Sequence, residues 1–367
     1  MTKTPFSIKQ VLEPKHLIPI LSILILVVTK SMDSNVWLSL LASVFLGIAV
    51  MSSVHHAEII AHRIGEGLGT LVLAVSVTII EVGLIISLMG SGGPGASILA
   101  RDTVFAAVMI VTNGIVALCL ILGGMKFKEQ EFQVQGSKSL LVVLIALSFL
   151  VFVLPNYTTS TAGPTYNNFQ MIFIGISLFL LYLLFIFFQT TSHKSYFEPS
   201  VGGVDESEAL AHEYVSKSDA WLSFFSLCVS LIVVIGLAKT LSPTIEKVVL
   251  YLGAPKSTVG LLIALIVLLP ESWSAVSAAR ANRLQTSLNL ALGSGIASIA
   301  LTIPVVIVYA IFTNQPLTLG LVPKDMAFMM MTFAVGTLTL GAGKSTLLQG
   351  AVHAVILLTY FVMAFIP

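Results

Sequence analysis

Charge is what this sequence has least of. Only 10% of its 367 residues are Asp, Glu, Lys or Arg, against about a quarter in soluble domains. A chain so poor in charge is an integral membrane protein, not a soluble one with an anchor. The charges nearly cancel, to a net +1, so no global field draws the chain to nucleic acid. Cysteine is equally scarce. Cys119 and Cys228 are the only two, each inside an apolar run, and they read as packed thiols rather than a disulfide or metal pair. The signatures of enzyme chemistry are missing as well. No metal-binding His/Glu spacing, no nucleophile–base set and no nucleotide loop falls in the apolar runs. "GAGKST", Gly341 to Thr346, resembles the end of a phosphate-binding loop, but that motif needs a glycine five residues before Gly343, and position 338 is Leu. It lies between two apolar runs with no soluble strand before it, and reads as a short turn.

What the chain does have is apolar length. It is 56% hydrophobic, with a mean hydropathy of +1.00. A helix needs about 20 mostly apolar residues to cross the hydrocarbon. That window predicts spans at 17–31, 36–56, 67–90, 101–124, 138–155, 168–190, 220–240, 256–279, 286–312, 324–342 and 346–366. The fold class expected is an all-α polytopic membrane protein with about eleven transmembrane helices. "MTKTPFSIKQVLEPKH" at the start is polar and basic, but no small-residue cleavage site follows the first apolar run, which is expected to stay as a helix. Of the 18 basic residues, 12 (Lys3, Lys9, Lys15, Arg63, Lys126, Lys128, Lys138, Lys194, Lys217, Arg280, Arg283 and Lys344) fall on the side of the N-terminus and 6 on the other. The positive-inside rule then puts the N-terminus in the cytoplasm and the C-terminus outside.

One long hydrophilic connection, Thr190 to Asp219, divides the chain. It carries Glu198, Asp205, Glu206, Glu208, Glu213 and Asp219 against Lys194 and Lys217. It reads first as a solvated linker, and as a cation-gathering or regulatory segment in the sharper alternative. The division expected is a tail and extra helix (1–35), a first five-helix repeat (36–190), the acidic linker (191–219) and a second five-helix repeat (220–367). Five is odd, so the halves enter the membrane from opposite sides. That is an inverted repeat, a common transporter plan.

Of 17 acidic residues, only Glu81 and Glu271 fall inside predicted spans and away from their ends. Each is on the second helix of its half, slightly past the middle, so in antiparallel helices both approach the midplane. A charged carboxylate at the bilayer centre costs roughly 3 kcal/mol on insertion scales, and no Lys or Arg lies deep in any span to pair with it. Such a glutamate must be protonated, face water or hold a cation. A protonated glutamate bonding between helices is the plainer reading for one alone, and a weak one for two at symmetric positions. Thr78 lies one turn before Glu81 on the same face, and Ser274 three residues after Glu271. Pro270 lacks an N–H and frees a carbonyl near position 266. The next helix of each half is also polar: Thr112 and Asn113 in the first, Asn289, Ser294 and Ser298 in the second, with Gly293 and Gly295 permitting close approach. The serines serve packing or ligation, whereas Asn113 is costlier to bury and weighs toward a site. His353 is the one histidine expected inside a span, a candidate proton relay or a hydrogen-bonded interhelical residue. His55, His56 and His62, with Glu58 and Glu66, read as a wet cytoplasmic helix end rather than a metal site.

These stretches carry a resemblance. "HHAEIIAHRIGEGLGTLVLAVSVTIIEVGLI", "RDTVFAAVMIVTNGIVALCLILGG", "GLLIALIVLLPES", "NLALGSGIASIALTIPVV" and "GAVH" resemble bacterial calcium/sodium–proton antiporters of the ChaA type, in the calcium/proton exchanger branch of the calcium/cation antiporter superfamily. The resemblance runs from about residue 50 to the end. It implies ten core helices in two inverted halves plus one extra N-terminal helix, in the bacterial cytoplasmic membrane. It implies alternating access around a central site that exchanges cytoplasmic cation for external protons, with no cofactor besides the transported ion. Carried over by position, Glu81 and Glu271 are the central carboxylates, Asn113 matches the family's asparagine, and Ser294 and Ser298 match the second half. The wider family has Gly-Asn four and three residues before each glutamate. Here these are Val77-Thr78 and Val267-Leu268. Thr78 still offers an oxygen and Leu268 does not, while calcium wants six to eight oxygens, which brings sodium and potassium forward as substrates. Two neighbouring carboxylates in low dielectric resist ionising together and are expected to titrate as a coupled pair, so that protons compete with the cation. The other classes weighed are a channel with a glutamate-lined pore, which an inverted repeat disfavours, and a membrane enzyme.

Overall fold

The computed structural model describes residues 14–31, 36–64, 66–90, 95–198, 216–251, 253–255 and 257–366. The tail at 1–13 and most of the expected acidic linker, residues 199–215 with Asp205, Glu206, Glu208 and Glu213, lie outside the described residues.

Each predicted span coincides with a helical stretch. In chain order these are α1 (Pro14–Ser31), α2 (Val36–Ile64) and α3 (Glu66–Met89). A fourth runs as α4 (Ala96–Ile110), a π turn (Val111–Ile115) and α5 (Val116–Phe127). Then come α6 (Val134–Ser148), prolonged to Tyr157, and α7 (Asn168–Phe187). After the linker follow α8 (Lys217–Tyr251), the pair α9 (Ser257–Val267) and α10 (Leu269–Arg280), and α11 (Leu284–Ala297). A π turn (Ser298–Thr302) joins α11 to α12 (Ile303–Thr313), and α13 (Pro323–Gly341) and α14 (Leu347–Phe365) close the chain. Among the described residues, seven stretches are long and apolar enough to cross a membrane, or eight if the bent pair α9–α10 counts as one. The positions of the predicted spans thus match, and length and apolarity by themselves support seven or eight of the eleven as crossings among the described residues, with shorter apolar helices at His16–Ser31 and Ala74–Met89 besides.

α7 shows why such a sequence needs lipid. Met171, Ile174, Leu178, Tyr182 and Phe185 are buried on one face, and Phe169, Phe173, Ile176, Leu180 and Leu184 are exposed on the other. A helix apolar all round has no water-facing side. Its start is set by a capping box. The Asn167 side chain accepts from the Gln170 N–H at 2.8 Å, and the Gln170 side chain accepts from the Asn167 N–H at 3.0 Å.

The chain packs as two compact units. The first comprises residues 1–90 and 206–248. In it α2 packs against both α1 and α3, and α8 meets α3 at Gly83, where a Cβ would lie 2.6 Å from Ile235 Cδ1. The histidine-rich end of α2 is wet at His55 and His62, which are exposed, and half-buried at Glu58, but His56 departs from that expectation. The helix runs on to Ile64, and His56 is fully buried, its ring stacked on His16 of α1 at 5.0 Å and 19°. His16 Nδ1 in turn lies 2.8 Å from Ser226 Oγ of α8. No helix breaker precedes Gly65, so α2 outruns its apolar window.

The second unit comprises residues 91–205 and 249–367. Here α9 packs on α4, α14 and α10 on α5, α11 and α13 on α6, and α12 on α7. Gly260 lets the α9 and α4 backbones meet: a Cβ there would lie 2.8 Å from Thr103 N and 3.0 Å from Asp102 C. A two-stranded antiparallel ribbon, β1 (Glu129–Glu131) with β2 (Lys344–Thr346), joins the connections before α6 and α14. This corrects the short turn read at "GAGKST". Gly343, at φ +75°, makes the turn, and the next three residues find a strand partner more than 200 positions away. Lys344 Nζ lies 2.8 Å from Glu131 Oε1. That hydrogen bond and its charge hold the Glu131 carboxyl below the usual carboxylate range and the Lys344 ammonium above its own.

Two stretches in this unit match closely. The helix containing Asn113 runs 15 residues, a 5-residue π turn and 12 residues; the helix containing Ser298 runs 14, 5 and 11. π turns are rare and recur at functional positions.

Candidate cation and proton site

In the first unit, Glu81 is enclosed in α3 at 4% exposure. Thr78, one turn earlier, is also buried, and its hydroxyl donates to Ala74 O at 2.8 Å. With its proton committed, Thr78 Oγ1 can only accept from other partners, the polarity a cation requires.

In the second unit, Glu271 stands just after a break. α9 ends at Val267, α10 begins at Leu269, and their axes differ by 51°. Pro270 supplies the break: it suits a first helical turn, where its missing N–H costs nothing, and it leaves the carbonyl four residues back without its helical donor. Leu268, at the bend, is buried. Its carbonyl is taken by Ser272, whose N–H and hydroxyl donate at 2.9 and 2.6 Å. Ser294 is half-buried on α11, and Ser298, one turn on, is buried and opens the π turn. Between them Gly295 faces Val111 of the first π turn, with a Cβ position 3.5 Å from Val111 Cγ1. Gly293, expected at a close approach, has nothing within 4 Å of its Cβ position.

Asn113 lies in the first π turn with no exposed surface. Its Nδ2 donates to Thr332 Oγ1 of α13 at 2.8 Å and to Thr112 Oγ1 at 3.3 Å. Its Oδ1 lies 2.9 Å from His353 Nδ1 of α14, and His353 Nε2 lies 3.1 Å from Thr339 Oγ1 of α13. All these side chains are buried. Two residues singled out in the sequence, Asn113 and His353, thus come into direct contact across 240 positions. Thr332 and Thr339 went unnoticed in the sequence, because a threonine in an apolar helix carries no signal of its own.

Arg101 and Asp102 were also missed. The predicted span starts at 101, which made them edge residues, but α4 begins at Ala96 and both are buried. Arg101 Nε and Nη2 reach Asp102 Oδ1 at 2.8 and 2.7 Å, and Nη1 donates to Gly320 O at 3.0 Å. The adjacent unlike charges in "RD" were the available cue. Among the described residues, no group of three His, Cys, Asp or Glu side chains is placed to hold a metal.

Long apolar helices, a buried Glu81, a half-buried Glu271 at a broken span and matched π turns define the molecule as a polytopic membrane protein with carboxylates inside its apolar helices. The sequence matches the sodium/calcium exchanger protein family over residues 34–191 and 222–366. The chain belongs to that family, which is a family of transporters. The putative ionic transporter y4hA of Sinorhizobium fredii is 44% identical over 339 residues, which are 91% of this chain and 90% of that one. The sodium-potassium/proton antiporter ChaA of Escherichia coli is 31% identical over 356 residues, 96% of each chain. The structure of native YfkE, at 18% identity, has the same fold, with a TM-score of 0.74 over 96% of this chain and 100% of its own.

Proposed function

We propose that the protein is a secondary cation/proton antiporter of the bacterial cytoplasmic membrane, N-terminus inside, in which Glu81 and Glu271 hold a cation and protons by turns. The observation that carries this reading is the broken span. Glu271 follows a 51° bend between two apolar helices, beside a carbonyl that Pro270 leaves without its donor. Transporters build midplane cation sites from such interrupted helices. Glu81, enclosed in an unbroken apolar helix, is the corresponding carboxylate of the first half. Thr78, Asn113, Ser294 and Ser298 supply neutral oxygens. A carboxylate in apolar surroundings is stable when protonated or when a cation offsets its charge. Cation entry therefore expels protons, and protonation expels the cation. If both glutamates cycle, one divalent ion exchanges for two protons without net charge.

The substrates this reading names are calcium, sodium and potassium. Leu268 contributes no side-chain oxygen, which weakens a calcium shell of six to eight ligands. The Escherichia coli relative is named for sodium and potassium, and both observations favour monovalent ions beside calcium.

The test uses everted membrane vesicles loaded with acid, with proton release followed on adding NaCl, KCl or CaCl2. Wild-type release is expected to saturate with cation, and its apparent KM to rise as pH falls. Glu81→Gln and Glu271→Gln are each expected to abolish it. Wild-type release in either variant overturns the site assignment, and unsaturated, proton-independent cation flux would mean a channel.

A further inference from the structure

The hydrogen-bond chain around Asn113 determines where its protons lie. Thr112 Oγ1 donates to Val108 O at 2.6 Å, so its proton is spent, and toward Asn113 at 3.3 Å it can only accept. The Asn113 amide nitrogen therefore faces Thr112 and Thr332, and the amide oxygen faces His353. An amide oxygen has no proton to give, so at 2.9 Å the donor is His353 Nδ1. In the neutral ring Nε2 then carries a lone pair, and the Thr339 hydroxyl at 3.1 Å donates to it. With the Thr332 hydroxyl donating to Met109 Sδ at 3.5 Å, every proton in the chain from Val108 O to Thr339 has a consistent place.

From this geometry we infer that His353 acts as a positioning residue: a fixed Nδ1–H donor that, with Thr332 at the other end, locks the Asn113 amide in one orientation at the π turn. His353 does not need to titrate to do this. The role is a specific form of the interhelical hydrogen bonder read in the sequence, and differs from the alternative read there, a proton relay in which the ring gains and loses a proton in each cycle. Four strands of evidence converge. All five polar side chains are buried, so water does not compete for them. They come from three segments: the first π turn, α13 and α14. Asn113 sits in a π turn, a geometry that recurs at functional positions. Finally, both ends of the amide are engaged, which prevents the flip that would exchange its oxygen for its nitrogen. The inference rests on Asn113 belonging to the transport site.

Two substitutions of His353 separate its two contacts. Asparagine places an amide nitrogen near the Nδ1 position and keeps the donor to Asn113. Glutamine reaches toward the Nε2 position and keeps only the Thr339 contact. In everted vesicles, with NaCl, KCl and CaCl2 as probes, His353→Asn is expected to retain transport with an unmoved pH profile. His353→Gln is expected to raise the KM for cation about tenfold, the size of one lost buried hydrogen bond, with a smaller change in maximal rate. Thr332→Val is expected to shift KM in the same direction, and Thr332→Ser to restore it, which keeps the test open if His353→Gln fails to fold. Equal loss in His353→Asn and His353→Gln, or a flattened pH profile in His353→Asn, overturns the inference in favour of a titrating ring. Wild-type kinetics in His353→Gln and Thr332→Val overturns it outright. Asn113→Ala is the control for the underlying reading: wild-type kinetics there removes Asn113 from the site, whatever the His353 variants do.

Discussion

Removing the Arg101 guanidinium strands a carboxylate where water does not reach. Asp102 is buried, Arg101 meets its Oδ1 with two nitrogens, and a third nitrogen ties the pair to Gly320 O. Breaking a buried pair from one side costs about 3–5 kcal/mol, because the remaining charge is left without its partner. Arg101→Ala is expected to lower the thermal midpoint of the detergent-solubilised protein by that measure, and Arg101→Ala with Asp102→Ala to recover part of it. A double variant no better than the single would mean the guanidinium acts through Gly320 alone. Residues of this kind were the least legible in the sequence. Glu81 and Glu271 stood out because a carboxylate inside an apolar run has no ordinary explanation. Asn113 and His353 each stood out alone, but nothing in helical periodicity joins positions 240 apart. Arg101 and Asp102 were misplaced by five residues of helix, enough to turn buried charges into apparent edge charges.

At the level of elements, helix existence and order were readable, because each element is a long apolar run. Breaks and contacts were readable only where a residue forces them. Pro270 announced the bend between α9 and α10. The ribbon of β1 and β2 was not readable: three-residue strands have no periodicity, and their partners are remote. The glycines also divide. A Cβ at Gly260 would meet backbone atoms of α4 at 2.8 and 3.0 Å, and one at Gly293 would meet nothing within 4 Å. Gly260→Ala is expected to push α9 off α4 and cost about 1–3 kcal/mol as an overpacked contact. Gly293→Ala is expected to be neutral, or to stabilise by up to about 1 kcal/mol through helix propensity. Thermal unfolding in one detergent compares them, and equal midpoints would contradict the close α9–α4 crossing.

For the whole molecule, the open quantity is the number of crossings. A cytoplasmic N-terminus, expected from the basic residues, together with eleven crossings would put the C-terminus outside, whereas among the described residues length and apolarity support seven or eight crossings. Alkaline phosphatase fused after residue 367 is expected to be active and a fluorescent protein there dark, with the opposite pattern for fusions in the 199–215 linker. A dark phosphatase at the C-terminus would require an even count.

The π turns at Val111–Ile115 and Ser298–Thr302 bear on how one span serves several neighbours. A π turn holds one residue more than the α turn it replaces, so the helix beyond it is rotated by about 100° against the helix before it. α4 presents its contact face to α9, while α5, in the same span, presents a differently phased face to α14 and α10. In the other half α11 meets α6 and α10, and α12 meets α7. Deleting one residue from either π turn would leave a longer, more regular helix whose second half points its side chains at the wrong companions. Each spare residue works as a gear shift, letting one continuous helix mesh with two sets of partners.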